Sequence, residues 1–195
     1  MKKVSYYLAI AAAAFVIQSC QNNTKDAKTA ADSVNQTKDT STIPDSTGGI
    51  AVTSDDAEFA TAAANSGIAE VELGKLASTK ATNPQVKEFA QMMVTDHGKA
   101  NDELKAIAKT KNITLPLTVD SEHQKLMADL QKKSGKEFDK AYVDAMVDGH
   151  KKTLSLLQDE AKNGKDPELK SFASKTAPIV QHHLDAINKI QSQFK

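Results

Sequence analysis

Glu70, His97, His150 and His183 are the side chains whose types and placement could do chemistry. At about 100° per residue, each falls on the apolar stripe of a separate helical stretch. His97 shares an arc with Val86, Phe89, Ala90, Met93, Ala100, Leu104, Ile107 and Ala108. His150 lies with Phe138, Tyr142, Val143, Met146, Val147, Leu154 and Leu157. His183 lies with Leu169, Phe172, Thr176, Ile179, Ile187, Ile190 and Phe194, and Glu70 with Phe59, Ala62, Ala63, Ser66, Leu73 and Ala77. Three imidazoles and a carboxylate are ligands for a single transition-metal ion, whether zinc, copper, manganese or iron, with geometry choosing among them. The same groups also make a structural polar network, Glu70 accepting from one or more rings, that sets helix register. Both readings stand open in the sequence.

The other polar and sulfur-bearing candidates have plainer roles. His182 is turned about 100° away from His183 and is not counted as a ligand. His123 falls outside the main elements and is expected at the surface, while Met92, Met93, Met127 and Met146 read as core packing. Tyr142 reads as a packed ring with a hydrogen-bonded hydroxyl rather than a redox group. No serine or second cysteine sits with a base in a hydrolase motif, so a non-enzymatic binding or structural role is expected.

Four long helices must position the cluster. The first runs from a cap at Ser54-Asp55-Asp56 to about Lys80, and the second from Asn83-Pro84 to about Lys111. The third spans about Lys136 to Lys162 and stops at Asn163-Gly164; the fourth starts at Asp166-Pro167-Glu168 and carries an internal Pro178. Each of the four polar residues then lies roughly 17 to 27 Å along its helix, which is mid-height for all of them. Between the second and third helices, Asn112 to Lys133 forms a long connection with a small amphipathic helix. Pro84 precedes Phe89-Ala90 at the same spacing as Pro167 precedes Phe172-Ala173, which suggests two related hairpins. Short turns within each pair and one long link between pairs predict an all-α, ferritin-like four-helix bundle with a long crossover between helices 2 and 3.

The chain before this domain has a different composition. Lys2 and Lys3, the apolar run Leu8 to Ile17, and Ser19-Cys20 make a signal segment over residues 1–19. Ile17-Gln18-Ser19-Cys20 resembles a bacterial lipobox, and Cys20 is the protein's only cysteine. Acylation there predicts anchoring to a lipid membrane without a spanning helix. Gln21 rather than Asp follows, which points to the outer membrane, with the domain facing the periplasm. Residues 20–53, rich in Asn, Thr, Ser, Asp, Lys and Ala, are expected to form a disordered tether, and 54–195 the folded domain. Of 195 residues, all 25 basic ones are lysine, balanced by 25 acids, so no guanidinium forks exist to grip phosphates. Nucleic-acid binding is not expected.

With these motifs in place, residues of about 55 to 192 resemble a bacterial ferritin-like family, the domain-of-unknown-function 4142 family, often described as outer membrane proteins. The resemblance runs through Ala69-Glu70-Val71-Glu72-Leu73-Gly74-Lys75-Leu76-Ala77, Val86-Lys87-Glu88-Phe89-Ala90 and Met93-Val94-Thr95-Asp96-His97. It continues through Ala100 to Leu104, Phe138-Asp139, Tyr142, Met146-Val147, His150, Asp166 to Lys170, Pro178 and His182-His183-Leu184. It implies the bundle fold and an envelope location, and no established activity. Di-iron ferritin-like proteins use Glu-x-x-His on two helices, whereas Val94, Val147 and Val180 stand three before the histidines here. A di-iron oxidase or iron store is therefore disfavoured, and a mononuclear histidine-rich site is not.

Overall fold

A computed structural model describes residues 26–38 and 49–194. Among them are six α-helices, α1 Ala27–Lys38, α2 Ser54–Lys80, α3 Pro84–Thr110, α4 Ser121–Gln131, α5 Gly135–Asn163 and α6 Pro167–Gln191, and a final 3-10 turn. The fold is all-α, as expected.

The helix starts are written in cap chemistry. Asn83 accepts from the backbone N–H groups of Gln85 and Val86, and Asp166 from those of Glu168 and Leu169. Pro84 and Pro167 follow, where a missing N–H has no cost. Each such cap contributes about 1 kcal/mol. For α2 the cap is Thr53, one residue earlier than the sequence suggested, its hydroxyl accepting from Asp56 N–H at 3.2 Å.

Helices α2 and α3 form one hairpin and α5 and α6 another, with α2 against α5 and α3 against α6. Polar ties at the ends fix the directions. The start of α2 meets the end of α5, where Asp56 accepts from Lys165 N–H at 2.8 Å and Asp166 N–H at 3.1 Å. Its other end meets the start of α5, where Asp139 accepts from Thr82 N–H at 3.0 Å and Asn83 N–H at 2.9 Å. Lys111, at the end of α3, pairs with Asp166 at 2.8 Å and Glu168 at 2.6 Å at the start of α6. Neighbouring long helices are thus antiparallel, and the crossover must run the length of the molecule. Helix α4 lies along that path and packs on α2 and α5.

Close approach of α2 and α3 depends on glycine. A Cβ on Gly74 would stand 2.8 Å from the Ala90 carbonyl oxygen and 3.2 Å from Met93 Cβ. One heptad earlier, a Cβ on Gly67 would displace the amide end of the Asn101 side chain. Glu70 lies between these two positions, so the near contact of the backbones brings its carboxylate to α3.

Three expectations need correction. The stretch 20–53 is not wholly a spacer, because Ala27–Lys38 is helical and packs on α2. Polar tertiary bonds hold α1: Asn35 donates to Thr114 C=O at 2.9 Å and accepts from Thr114 N–H at 2.7 Å, and Asp32 accepts from the Thr61 hydroxyl. Ile50 and Val52 also pack against the core, so the folded domain begins before residue 54. Second, α2 buries far more than one stripe, including Ala60, Thr61, Ala64 and Asn65, because α1 and the α4 region cover what would otherwise be its outer face. Third, Ile179 is 47% exposed, and Val180 takes the inward place between Thr176 and His183. Cys20 and the signal segment lie outside the described residues.

Candidate metal centre

The four expected residues meet in one layer. Glu70 and His97 are each 4% exposed and His150 and His183 fully buried. The three imidazole rings form a triangle with centroids 5.5, 5.2 and 5.6 Å apart. Phe89 closes one side, 5.8 Å from His150 and 6.4 Å from His183.

One nitrogen of each ring is held from outside the triangle. His97 Nδ1 stands 2.8 Å from Glu70 Oε2, a charge contact without an aligned hydrogen bond. His150 Nδ1 donates to the Met146 carbonyl at 2.8 Å, one turn back on α5. His183 Nε2 donates to Asp96 Oδ2 at 3.2 Å. A carbonyl or carboxylate only accepts, so these partners place the proton on the nitrogen they touch. The other nitrogens, His97 Nε2, His150 Nε2 and His183 Nδ1, are buried and have no partner. For His150 and His183 they are bare lone pairs.

Each ring offers one nitrogen such that all three lie within 4.8 Å of one another. Bonds of about 2.0–2.1 Å to one tetrahedral ion would set the nitrogens about 3.3 Å apart, so side-chain shifts of roughly 1 Å close the set. Outer-shell acceptors that fix the ring and leave the second nitrogen free are how metal-ligating histidines are oriented. The residues present therefore fit a transition-metal ion.

Glu70 takes a different part from the one expected of a fourth ligand. It sits behind His97 and also accepts from Thr153 Oγ1 at 3.4 Å, with His150 Nδ1 at 3.7 Å. Burial pushes its carboxyl up, but the His97, His150 and His183 charges outweigh that and hold it below the usual carboxylate range. Burial lowers His97, yet the Glu70 charge prevails and raises it. His150 is lowered, chiefly by burial, and His183 is pushed down to about 4 by burial and the nearby His97. The metal-free site thus sets a His97 ring whose pKa is raised against a Glu70 whose pKa is lowered, beside two imidazoles whose lowered pKa values favour the neutral ring.

Three partners were missing from the sequence reading: Asp96, Thr153 and the Met146 carbonyl. Thr153, three residues after His150 on the buried face of α5, was the one with a positional signal. His182 is exposed, as expected of a residue off the stripe. His123 is not a free surface group: it lies in the first turn of α4, its Nδ1 2.6 Å from Asp120 Oδ1. The Tyr142 hydroxyl has no hydrogen-bond partner, against expectation, and burial followed by the Glu70 charge raises its pKa.

A family model described as "Domain of unknown function (DUF4142)" matches residues 41–190. The chain belongs to the DUF4142 family. No curated protein sequence matches it. Among solved structures, this DUF4142 domain is similar to CopM in its Cu(II)-bound form, with a TM-score of 0.62 and 14% identity, over 72% of this chain and 97% of that one. At that identity the likeness speaks for the helical fold alone.

Proposed function

We propose that this DUF4142 protein binds one divalent transition-metal ion in its core through His97 Nε2, His150 Nε2 and His183 Nδ1. The observation that carries the reading is the set of three buried, partnerless ring nitrogens, each opposite a nitrogen already held by an acceptor. A self-contained polar network would close its hydrogen bonds; this one leaves its lone pairs inside. An all-imidazole donor set suits Cu(II) and Zn(II) and gives little to Mg²⁺ or Ca²⁺, which demand oxygen. The Cu(II) in the neighbouring structure is a reason to titrate copper first. Glu70 would offset part of the ion's charge and orient His97, and with three protein ligands a further position is left for water or an exogenous ligand.

The test is elemental analysis of the chain purified without affinity histidines or chelators, followed by titration with Cu(II), Zn(II), Mn(II) and Fe(II). About one ion per chain, lost in His97→Gln and His183→Gln variants that keep their helicity, supports the site. Failure to bind any of zinc, copper, manganese or iron would leave a packing network.

The protein is further proposed to work from the bacterial envelope as an outer-membrane lipoprotein, held through acylated Cys20 and facing the periplasm. The lipobox-like Ile17-Gln18-Ser19-Cys20 and its basic, apolar flank support this. Among the described residues, no helix is long and apolar enough to cross a membrane. Cys20→Ser is expected to move the protein from the membrane fraction to the soluble one. Unchanged membrane association would rule out anchoring through that residue.

A further inference from the structure

The buried centre needs a way in, and one cleft contains one of its residues. Between α2, α4 and α5 lies a cavity of about 360 Å³, lined in part by Ser66, Glu70, His123, Asp148, Lys152 and Thr153. Clefts at the α1–α2 contact and at the two ends of the long helices touch none of the four central residues. At about 30 Å³ per water, an ion with six waters occupies about 180 Å³, so a hydrated cation fits.

The wall of the cleft is built for a cation. His123, its side chain 25% exposed, has Nδ1 at 2.6 Å from Asp120 Oδ1, which also accepts the His123 backbone N–H at 2.8 Å. Asp120 is in turn fixed by Asn65, whose Nδ2 donates to Oδ2 at 2.6 Å and whose Oδ1 accepts Asp120 N–H at 3.0 Å. With Nδ1 engaged by Asp120 Oδ1 and the Asn65 amide nitrogen 3.4 Å from that Nδ1, Nε2 is the ring nitrogen these partners do not take, as Nδ1 is for His183 on Asp96. Glu122 and Asp148 stand beside it, opposed by Lys152, which is 3.6 Å from Glu122. Inward lies Glu70, 4% exposed, its Oε2 2.8 Å from His97 Nδ1, so that a cation reaching this carboxylate stands beside the centre. Glu70, Glu122 and Asp148 outnumber the single Lys152 in the lining, and a cleft with a net negative wall raises the local concentration of cations and their on-rates.

We infer that the cleft beneath α4 is the entry route of the metal, and that His123 is a transient ligand that captures the hydrated cation and passes it to Glu70. The inference rests on the proposed metal centre. It makes His123 a kinetic residue: it is absent from the final ligand set and speeds both filling and emptying. A role confined to pinning α4 would alter stability and leave the rates alone.

The experiment is stopped-flow loading of the full chain with Cu(II) alone, followed by its visible absorbance, with affinity measured separately by competition. Asp148, exposed on α5, gives a charge-reversal variant that leaves the fold undisturbed. Loading roughly tenfold slower in His123→Ala and in Asp148→Lys, with Kd within twofold of wild type, is the expected result. Rates within twofold of wild type in both variants overturn the entry route. A Kd weakened in proportion in His123→Ala overturns the transit role, because His123 would then be a resident ligand. Wild-type protein that binds none of copper, zinc, manganese or iron removes the central site itself, and the route with it.

Discussion

Replacing His183 by leucine separates a metal site from a structural network, because the first leaves the metal-free protein nearly as stable as wild type and the second destabilises it. In the wild type, His183 is fully buried, donates to a half-exposed Asp96, and leaves Nδ1 without a partner. An unsatisfied buried acceptor costs about 1–3 kcal/mol, and leucine removes it. The lost bond to Asp96 is worth about 1.5–3 kcal/mol before rehydration, and Asp96, with 34% of its side chain exposed, recovers part of that from water. Leucine also brings apolar burial to a site lined by Phe89. In chelator, His183→Leu is therefore expected to lie within about 1 kcal/mol of wild type. With metal at about 100 times Kd, the wild type gains about 2.7 kcal/mol, or roughly 5–11 °C in Tm, and the variant gains almost nothing. Thermal melts with and without Cu(II) read both effects. A variant destabilised by more than about 2 kcal/mol in chelator, and a wild type whose melting ignores metal, would refute the argument and make the histidines a satisfied network.

Two further outcomes test the packing around the site. Gly74→Ala should cost about 1–2 kcal/mol in urea unfolding, since its Cβ would stand 2.8 Å from backbone oxygen and its better helix propensity offsets part of the strain. A stabilised variant would mean that α2 and α3 do not approach as closely as described. At the end of α5, burial and then the Asp56 carboxylate push the Glu160 carboxyl up to about 7. A folded pKa raised above the usual 4.5 gives stability that is complete below pH 4.5 and lost as pH rises through 7. Glu160→Gln should accordingly match wild type near pH 4.5 and exceed it at pH 8 by about 1 kcal/mol after solvent screening. Equal stability of the two proteins at pH 8 would contradict a charged, strained Glu160.

Helix limits were most legible at α3 and α6, which carry both an apolar stripe and a side-chain cap, whereas α5 starts at Ser134 without a side-chain cap bond. Asn83-Pro84 and Asp166-Pro167 start α3 and α6 where the sequence placed them, since a side-chain acceptor followed by proline leaves the backbone few alternatives. Helix α1 was not legible. It buries only Ala31 and Asn35, and its stability comes from bonds to Thr61 and Thr114, far away in the chain. Polar composition reads as disorder when the partners that satisfy it are out of local view. His123 does lie outside the four long helices and is partly exposed, but that Asn65 on α2 fixes its partner Asp120 was out of local view.

The meeting of Glu70, His97, His150 and His183 was legible from face and height, yet that geometry serves a network and a metal site equally. The distinction lies in which ring nitrogen each partner takes, and face and height carry no trace of it. Asp96 adjoins His97 in sequence but serves His183 on α6, and the acceptor for His150 is a backbone carbonyl that no residue type announces. Both partners approach from behind the rings. Had Asp96 or Glu70 stood within the triangle, the lone pairs would have been consumed, and the cluster would be a network whatever its ligand count. Because the acceptors stand outside, the inner nitrogens remain unpaired at a cost that folding alone gives no reason to bear, and an ion that all three can share removes it.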